Sequence, residues 1–431
     1  MQQATPNTLT DAGNPFLDLL DLANERVGAS VLAASDAFFA EKENLTKAGE
    51  PVFIADKYPD RGKWMDGWES RRKRRPGYDW AVIRLGVPGV IRGVVLDTRH
   101  FTGNFPEHIS LEASTAAENA RLEDLGGWTD IIRKPPLRGD TLNPFVVSSP
   151  RRFTHLRMNI FPDGGVARLR VYGQALPEWR QLGSEIDPAA AEFGGMVVSS
   201  SHQHYGHPRN LIMPGSGRNM ADGWETRRRR GPGHDLVILR LAAEGIVERV
   251  EVDTSHFKGN FPDSCSLEVN ACDVPGSDSV PREDSWVEIL PRTRLVANTR
   301  HLFRQELKLS CAARFARFNI YPDGGVSRLR LFGRLTEDGR AEANLAALNA
   351  ASDEQGVADL LYGCGSTAWA QAMAGGRPYA SKEKTRSRRR GGLEPMFTRR
   401  PAAGLCRPSA HRRAGEYGLV ARRAIASWRS E

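Results

Sequence analysis

MNIFPDGGVARLRVYG (158–173) and FNIYPDGGVSRLRLFG (318–333) are one stretch written twice. Each ends in a run, ARLRVYG or SRLRLFG, in which apolar and charged residues alternate. That period of two marks a strand with one face in a core and one in solvent. Each also contains PDGG, whose Pro, Asp and Gly carry turn chemistry, so a hairpin connection is expected at Asp163 and at Asp323. A stretch of this length does not recur by chance, and the chain therefore holds two copies of a β-rich unit.

The duplication extends upstream. DGWESRRKRR (66–75) returns as DGWETRRRR (222–230), and LDTRHFTGNFP (96–106) returns as VDTSHFKGNFP (252–262). Trp68 and Trp224 are 156 positions apart, as are Asp97 and Asp253, whereas Asn159 and Asn319 are 160 apart. Four residues have thus entered a loop between motifs that otherwise held their spacing, which is where such change belongs. Further short strands read in pairs: AVIRLG (81–86) with LVILRL (236–241), VIRGVVLDT (90–98) with IVERVEVDT (246–254), SLEA with SLEV, and WTDII with WVEIL. VLAASDAFFAEKENL (31–45) matches VVSSSHQHYGHPRNL (197–211), a short strand followed by a polar loop. Six to eight short strands per copy, separated by Gly and Pro, predict a mainly β protein of two tandem antiparallel sandwiches or jelly rolls. Trp68, Trp224, Phe101 and Phe257 read as core.

Composition agrees with a soluble globular chain. Its 431 residues exceed what one core supports, and hydrophobic residues make up 40% against 26% charged. No apolar run is long enough for a membrane span, and the N-terminus lacks the basic and apolar regions of a signal peptide, so the cytosol is expected. Five cysteines (Cys265, Cys272, Cys311, Cys364, Cys406), none spaced as CxxC, argue against a disulfide framework or a zinc knuckle. The net charge of +8 is concentrated at the end: from Lys382 onward there are 14 Lys or Arg and 4 Asp or Glu, leaving 46 basic against 48 acidic residues before it. A nearly neutral body argues against nucleic acid as a partner. The expected organisation is a first sandwich at 16–180, a second at 190–336, an Ala- and Leu-rich helical segment at 340–381, and a disordered Arg-rich tail at 382–431.

The doubled motifs carry reactive side chains. Glu69, Arg71, His100 and Asn104 in the first copy correspond to Glu225, Arg227, His256 and Asn260 in the second. Arg grips a carboxylate, Glu and His move protons, and Asn donates to an oxygen gaining charge, a set suited to hydrolysis of a small anionic substrate. The same residues could merely complete turns. His202, His204 and His207 form the one dense histidine cluster; a divalent metal there would be asymmetric, since the first copy offers only Asp36 and Glu41. No metal or other cofactor is required by the sequence.

Taken together, the doubled DGWE[ST]RR, DT.HF.GNFP and PDGG..RLR motifs resemble the allantoicase (allantoate amidinohydrolase) family over about residues 16–335. The resemblance implies two jelly-roll repeats of the galactose-binding type and a homo-oligomeric hydrolase acting on C–N bonds in linear amidines. The implied reaction converts allantoate to ureidoglycolate and urea in purine (allantoin) degradation. On that substrate, Arg227 or Arg71 is expected to anchor the carboxylate. Glu225 or Glu69, with His256 or His100, would do acid–base work, and Asn260 or Asn104 would bind a ureido oxygen. The second copy has two further candidates, His234 where the first has Tyr78, and Lys258 where it has Thr102. The rival reading is a non-catalytic carbohydrate- or small-ligand-binding jelly roll. Residues 360–381 resemble the start of a ureidoimidazoline decarboxylase domain that is not completed, as a truncation or a reading-frame change near Lys382 would produce.

Overall fold

The structure, a computed structural model, describes residues 14–379 apart from 118–119, 180–181, 271–279 and 309–310. The tail assigned to 382–431, together with Cys272 and Cys406, lies outside the described residues.

Each copy is organised by one long strand. In the first copy the main strands are β1 (Asp79–Asp97), β2 (His108–Ser114), β3 (Arg152–Phe161) and β4 (Arg168–Ala175). The first half of β1 pairs antiparallel with β3, Ala81 opposite Met158, and its second half with β4, Val94 opposite Val171. The register against β3 shifts between Arg84 and Gly89. One strand thereby serves both layers of the sandwich. Gly86, Pro88 and Gly89 made this stretch look like two strands; they are instead where it bends, and a Cβ on Gly86 would lie 2.4 Å from the Val27 carbonyl oxygen. Strands Ser30–Ala34 and Thr129–Ile132 widen one layer, and Leu20–Asp21 and Leu142–Val146 the other.

The second copy repeats this plan with β5 (Asp235–Asp253), β6 (Ser264–Asn270), β7 (Ala312–Tyr321) and β8 (Arg328–Leu335). In the first copy Ala81, Ile83, Ile109, Leu111, Leu156 and Met158 from one layer meet Val94, Leu96, Leu169 and Val171 from the other, all fully buried. At about 1.5–3 kcal/mol for each larger side chain, this burial is the main force holding the layers together. The cores of the two copies belong to one hydrophobic cluster. Polar contacts join them as well: Arg26 forks onto the Asp222 carboxylate, with Nη2 2.9 Å from Oδ2, and Arg209 donates to the Leu19 carbonyl at 2.5 Å.

The PDGG segments are not hairpin turns. β3 and β4 do not pair with each other, because both lie against β1. Gly165–Val166 instead forms a two-residue ladder with Trp68–Glu69, and Gly325–Val326 does the same with Trp224–Glu225.

The helical expectation is met by α1 (Glu337–Ala350), α2 (Asp353–Cys364) and α3 (Thr367–Gly375). Ser352 and Ser366 cap the last two through their hydroxyls, accepting from Gln355 N and Trp369 N. Residues up to Ala347 form one compact unit and those from Leu348 another. Among the described residues no helix is long and apolar enough to cross a membrane.

Asp187 supplies a pH-dependent element to the second copy. Its Oδ1 accepts from Ala189 N at 3.1 Å and Leu331 N at 3.0 Å. Burial pushes its carboxyl from 3.8 up to about 6, against the pull of Arg330. The folded chain therefore holds this proton more tightly than the unfolded chain, and stability falls as pH rises from about 4 to about 6. Asp187→Asn is expected to flatten that part of the melting-temperature profile; equal slopes in both proteins would contradict the assignment.

Candidate active site

The three repeated motifs, distant in sequence, meet at one place in each copy. Trp68 is fully buried and its indole N–H donates to the Asp36 carbonyl at 2.7 Å; Trp224 does the same to the His202 carbonyl at 2.8 Å. Phe101 and Phe257 lie against the PDGG backbone so closely that a Cβ on Gly165 or Gly325 would be 1.9 or 2.0 Å from the ring. Only glycine fits there. The DT corner is fixed by its own side chains: Asp97 Oδ1 accepts from Arg99 N at 2.9 Å, and the Thr98 hydroxyl donates to the Arg138 carbonyl at 2.7 Å. Asp253 and Thr254 repeat these roles toward Ser255 N and the Val296 carbonyl. The next residue, His100 or His256, is held at φ 72° or 73°, a left-handed conformation that is uncommon for a residue with a side chain.

This scaffold brings the glutamate and the asparagine together. Asn104 Nδ2 donates to Glu69 Oε1 at 2.7 Å, and Asn260 Nδ2 to Glu225 Oε1 at 2.5 Å. Burial pushes the Glu69 carboxyl up, and the hydrogen bond from Asn104 offsets this only in part. A half-buried carboxyl held by an amide is suited to acid–base work.

The histidines are placed elsewhere. His100 Nε2 lies 3.2 Å from the Pro51 carbonyl and His256 Nε2 2.9 Å from the Gly217 carbonyl, each turned onto the loop that precedes DGWE. Among the described residues neither ring is hydrogen-bonded to a glutamate of the motif. His234 packs its ring on Tyr321 at 4.7 Å, as Tyr78 packs on Phe161 at 5.1 Å, and Lys258 is exposed.

The basic run divides into structural and exposed members. Lys73 donates to the buried Asp79 and, through its backbone, to Asp163 of PDGG, both at 2.7 Å. Arg229 makes the matching contacts to Asp235 and Asp323. Arg71 is exposed and pairs with Asp36, Nε to Oδ2 at 2.7 Å. Arg227 is exposed too, its backbone N–H donating to His202 Nδ1 at 3.4 Å. The rings of His202 and His204 are 5.6 Å apart, while His207 accepts from Arg209 N and caps the short helix Pro208–Ile212. Among the described residues no group of three or more His, Cys, Asp or Glu is arranged to hold a metal.

Two duplicated networks escaped the sequence reading. Arg168 and Arg328 are buried and donate to the Asp66 and Asp222 backbone and carboxylates. On the sheet, Arg157 forks onto Glu112 while Asn159 bridges Ser110 and Glu112; Arg317, Glu268, Asn319 and Ser266 repeat the arrangement. The signal was present, since S-L-E and R-x-N recur together at cross-strand positions.

A family model describing the allantoicase repeat matches residues 20–176 and again 186–336, the two sandwiches that carry this geometry. The chain belongs to the allantoicase family. It is 48% identical over 320 residues to a probable allantoicase of Burkholderia mallei, covering 73% of this chain and 94% of that one. To the allantoicase of Dictyostelium discoideum it is 45% identical over 317 residues, 72% of this chain and 86% of the relative. Among solved structures, the crystal structure of allantoicase from Saccharomyces cerevisiae superposes with a TM-score of 0.62 at 34% identity, over 73% of this chain and 92% of that one. Within the allantoicase repeat, then, the matched unit includes the whole Glu–Asn–Arg constellation in both copies.

Proposed function

We propose that this chain is an allantoicase, hydrolysing allantoate to ureidoglycolate and urea. The observation that carries the reading is 48% identity across 94% of the length of a relative named for that activity. The site chemistry supports it. Allantoate bears a carboxylate and two ureido groups on one carbon. Hydrolysis breaks one carbon–nitrogen bond at that carbon, leaves the oxygen of water on the carbon, and delivers a proton to the departing urea nitrogen. Arg227 or Arg71 anchors the carboxylate, bidentately where geometry allows. Glu225 or Glu69 takes the proton from water and returns it to the leaving nitrogen. Asn260 or Asn104 has a second amide N–H beyond the one given to the glutamate, and donates it to a ureido oxygen. His256 or His100 acts on the substrate only by turning from its carbonyl partner, so it ranks behind the glutamate for proton transfer. His234 and Lys258 add positive or donor character to the second copy.

The protein is further proposed to work as a cytoplasmic homo-oligomer on this small molecule, with neither nucleic acid nor membrane as partner; the nearly balanced charge before Lys382 speaks against nucleic acid. Residues 360–381 keep their proposed likeness to the start of a ureidoimidazoline decarboxylase domain, without that activity. Purified protein is expected to release one urea and one ureidoglycolate per allantoate consumed. Unchanged allantoate under conditions where the fold is intact would overturn the proposal.

A further inference from the structure

Asp36 and His202 hold the same place in the two copies, each offering its carbonyl to the buried indole of the DGWE motif. Their side chains treat the neighbouring arginine differently. The Asp36 carboxylate accepts from Arg71 N at 3.1 Å, from Arg71 Nε at 2.7 Å and from Phe38 N at 2.9 Å. Partial burial pushes this carboxyl up, but the hydrogen bonds from Phe38 and Arg71 prevail and hold it below its ordinary range. The Phe38 ring lies 5.1 Å from the same guanidinium, and Arg61 stacks on that ring at 5.2 Å while donating to the Phe38 carbonyl at 3.2 Å. Arg71 is thus matched by a carboxylate and an aromatic face of its own chain.

In the second copy His202 replaces Asp36 and His204 replaces Phe38. His202 Nδ1 still takes the backbone N–H of the arginine, as Asp36 Oδ1 does. Nothing takes the guanidinium: among the described residues Arg227 has neither a carboxylate nor a ring as partner, and its side chain is exposed. The loops differ in the same sense. In the first copy Phe53 of the longer loop stacks on His100 at 5.6 Å, with Lys63 4.4 Å from the Phe53 ring. In the second copy the shorter loop gives His256 only the Gly217 carbonyl.

We propose that the substrate carboxylate binds in the second copy alone, at Arg227, and that His202 in place of Asp36 is the specificity-determining substitution that leaves this arginine available. The first copy is a closed counterpart whose own aspartate occupies the position of the ligand carboxylate. His202 is a positioning residue: it orients the Arg227 backbone without neutralising its side chain. An exposed Arg–carboxylate pair is worth up to about 1 kcal/mol, enough for a built-in aspartate to compete measurably with a ligand in the same place. This inference rests on the reading of allantoate as substrate.

The test uses the full chain and steady-state urea release. His202→Asp is expected to raise KM about three- to fivefold with kcat little changed, because the new carboxylate takes the anchor and leaves the reacting groups in place. His202→Asn, which can accept the backbone N–H without adding charge, is expected to keep KM within about twofold of the parent. Asp36→Asn, which adds no competitor at Arg227, is expected not to raise KM. A KM for His202→Asp within twofold of the parent overturns the proposal, as does an equal effect of Asp36→Asn. Melting temperatures of all three variants separate misfolding from competition: a folded His202→Asp with raised KM supports the proposal, and a KM effect that His202→Asn shares overturns it. No turnover by the parent protein would instead overturn the substrate reading on which this rests.

Discussion

Glu225→Gln is expected to lower kcat for urea release by about 10²- to 10⁴-fold, the usual contribution of a positioned acid–base group. The substitution keeps shape and the possibility of a hydrogen bond to Asn260 but removes the proton carrier, so KM should change far less than kcat. The loss then belongs to the transition state rather than to uniform binding. Glu225 is singled out because it is the carboxylate held 2.5 Å from Asn260 on an extended segment whose next outward residue, Arg227, has no carboxylate partner among the described residues. Glu69→Gln belongs in the same experiment, since the first copy builds an equivalent pair at 2.7 Å. Near parental kcat in both variants would mean that neither glutamate of the doubled motif moves the proton, and the chemistry would have to be sought elsewhere in the fold.

The second large effect is on the scaffold. Phe257→Ala is expected to destabilise the protein by about 3–5 kcal/mol, read as a shift of the denaturant midpoint at unchanged slope. Phe257 is fully buried and lies directly on Gly325 and Gly223, where added Cβ atoms would come within 2.0 and 2.9 Å of its ring. Because those glycines belong to PDGG and DGWE, the ring is the common packing surface of all three motifs. Its removal leaves a cavity lined by backbone that cannot collapse without breaking the Trp224–Val326 ladder. A cost below about 1 kcal/mol would show that the motifs are held together by something other than this ring.

These two residues also mark the limit of what could be read without coordinates. Duplication and alternation made the strands legible, because a sheet's period of two is written directly into residues such as those of β4 and β8. Phe257 and Trp224 were readable as core because they are large aromatic side chains set among the polar turn residues of GNFP and DGWE. The union of Gly86, Pro88 and Gly89 into a single bent β1 was not, since Gly and Pro signal a chain break and a bend with the same residues. PDGG was misread because its turn chemistry is local, whereas the partner it pairs with, Trp68 or Trp224, is remote in sequence. Within the site, the carboxylate–amide pair was present in the list of candidates. The direction of His100 and His256 was not legible, because it follows from a left-handed backbone fixed by contacts to Asp140 and Asn298. The difference between Asp36 and His202 was visible as a sequence asymmetry, but its meaning depended on learning that both flank the DGWE arginine.

The most direct test of the account is the fate of solvent oxygen during turnover of allantoate in ¹⁸O-labelled water. Cleavage of the carbon–nitrogen bond at the carboxylate-bearing carbon predicts label in the hydroxyl of ureidoglycolate and none in the released urea. Unlabelled ureidoglycolate hydroxyl, or ammonia and carbon dioxide in place of urea as attack at a ureido carbonyl would give, would contradict the account.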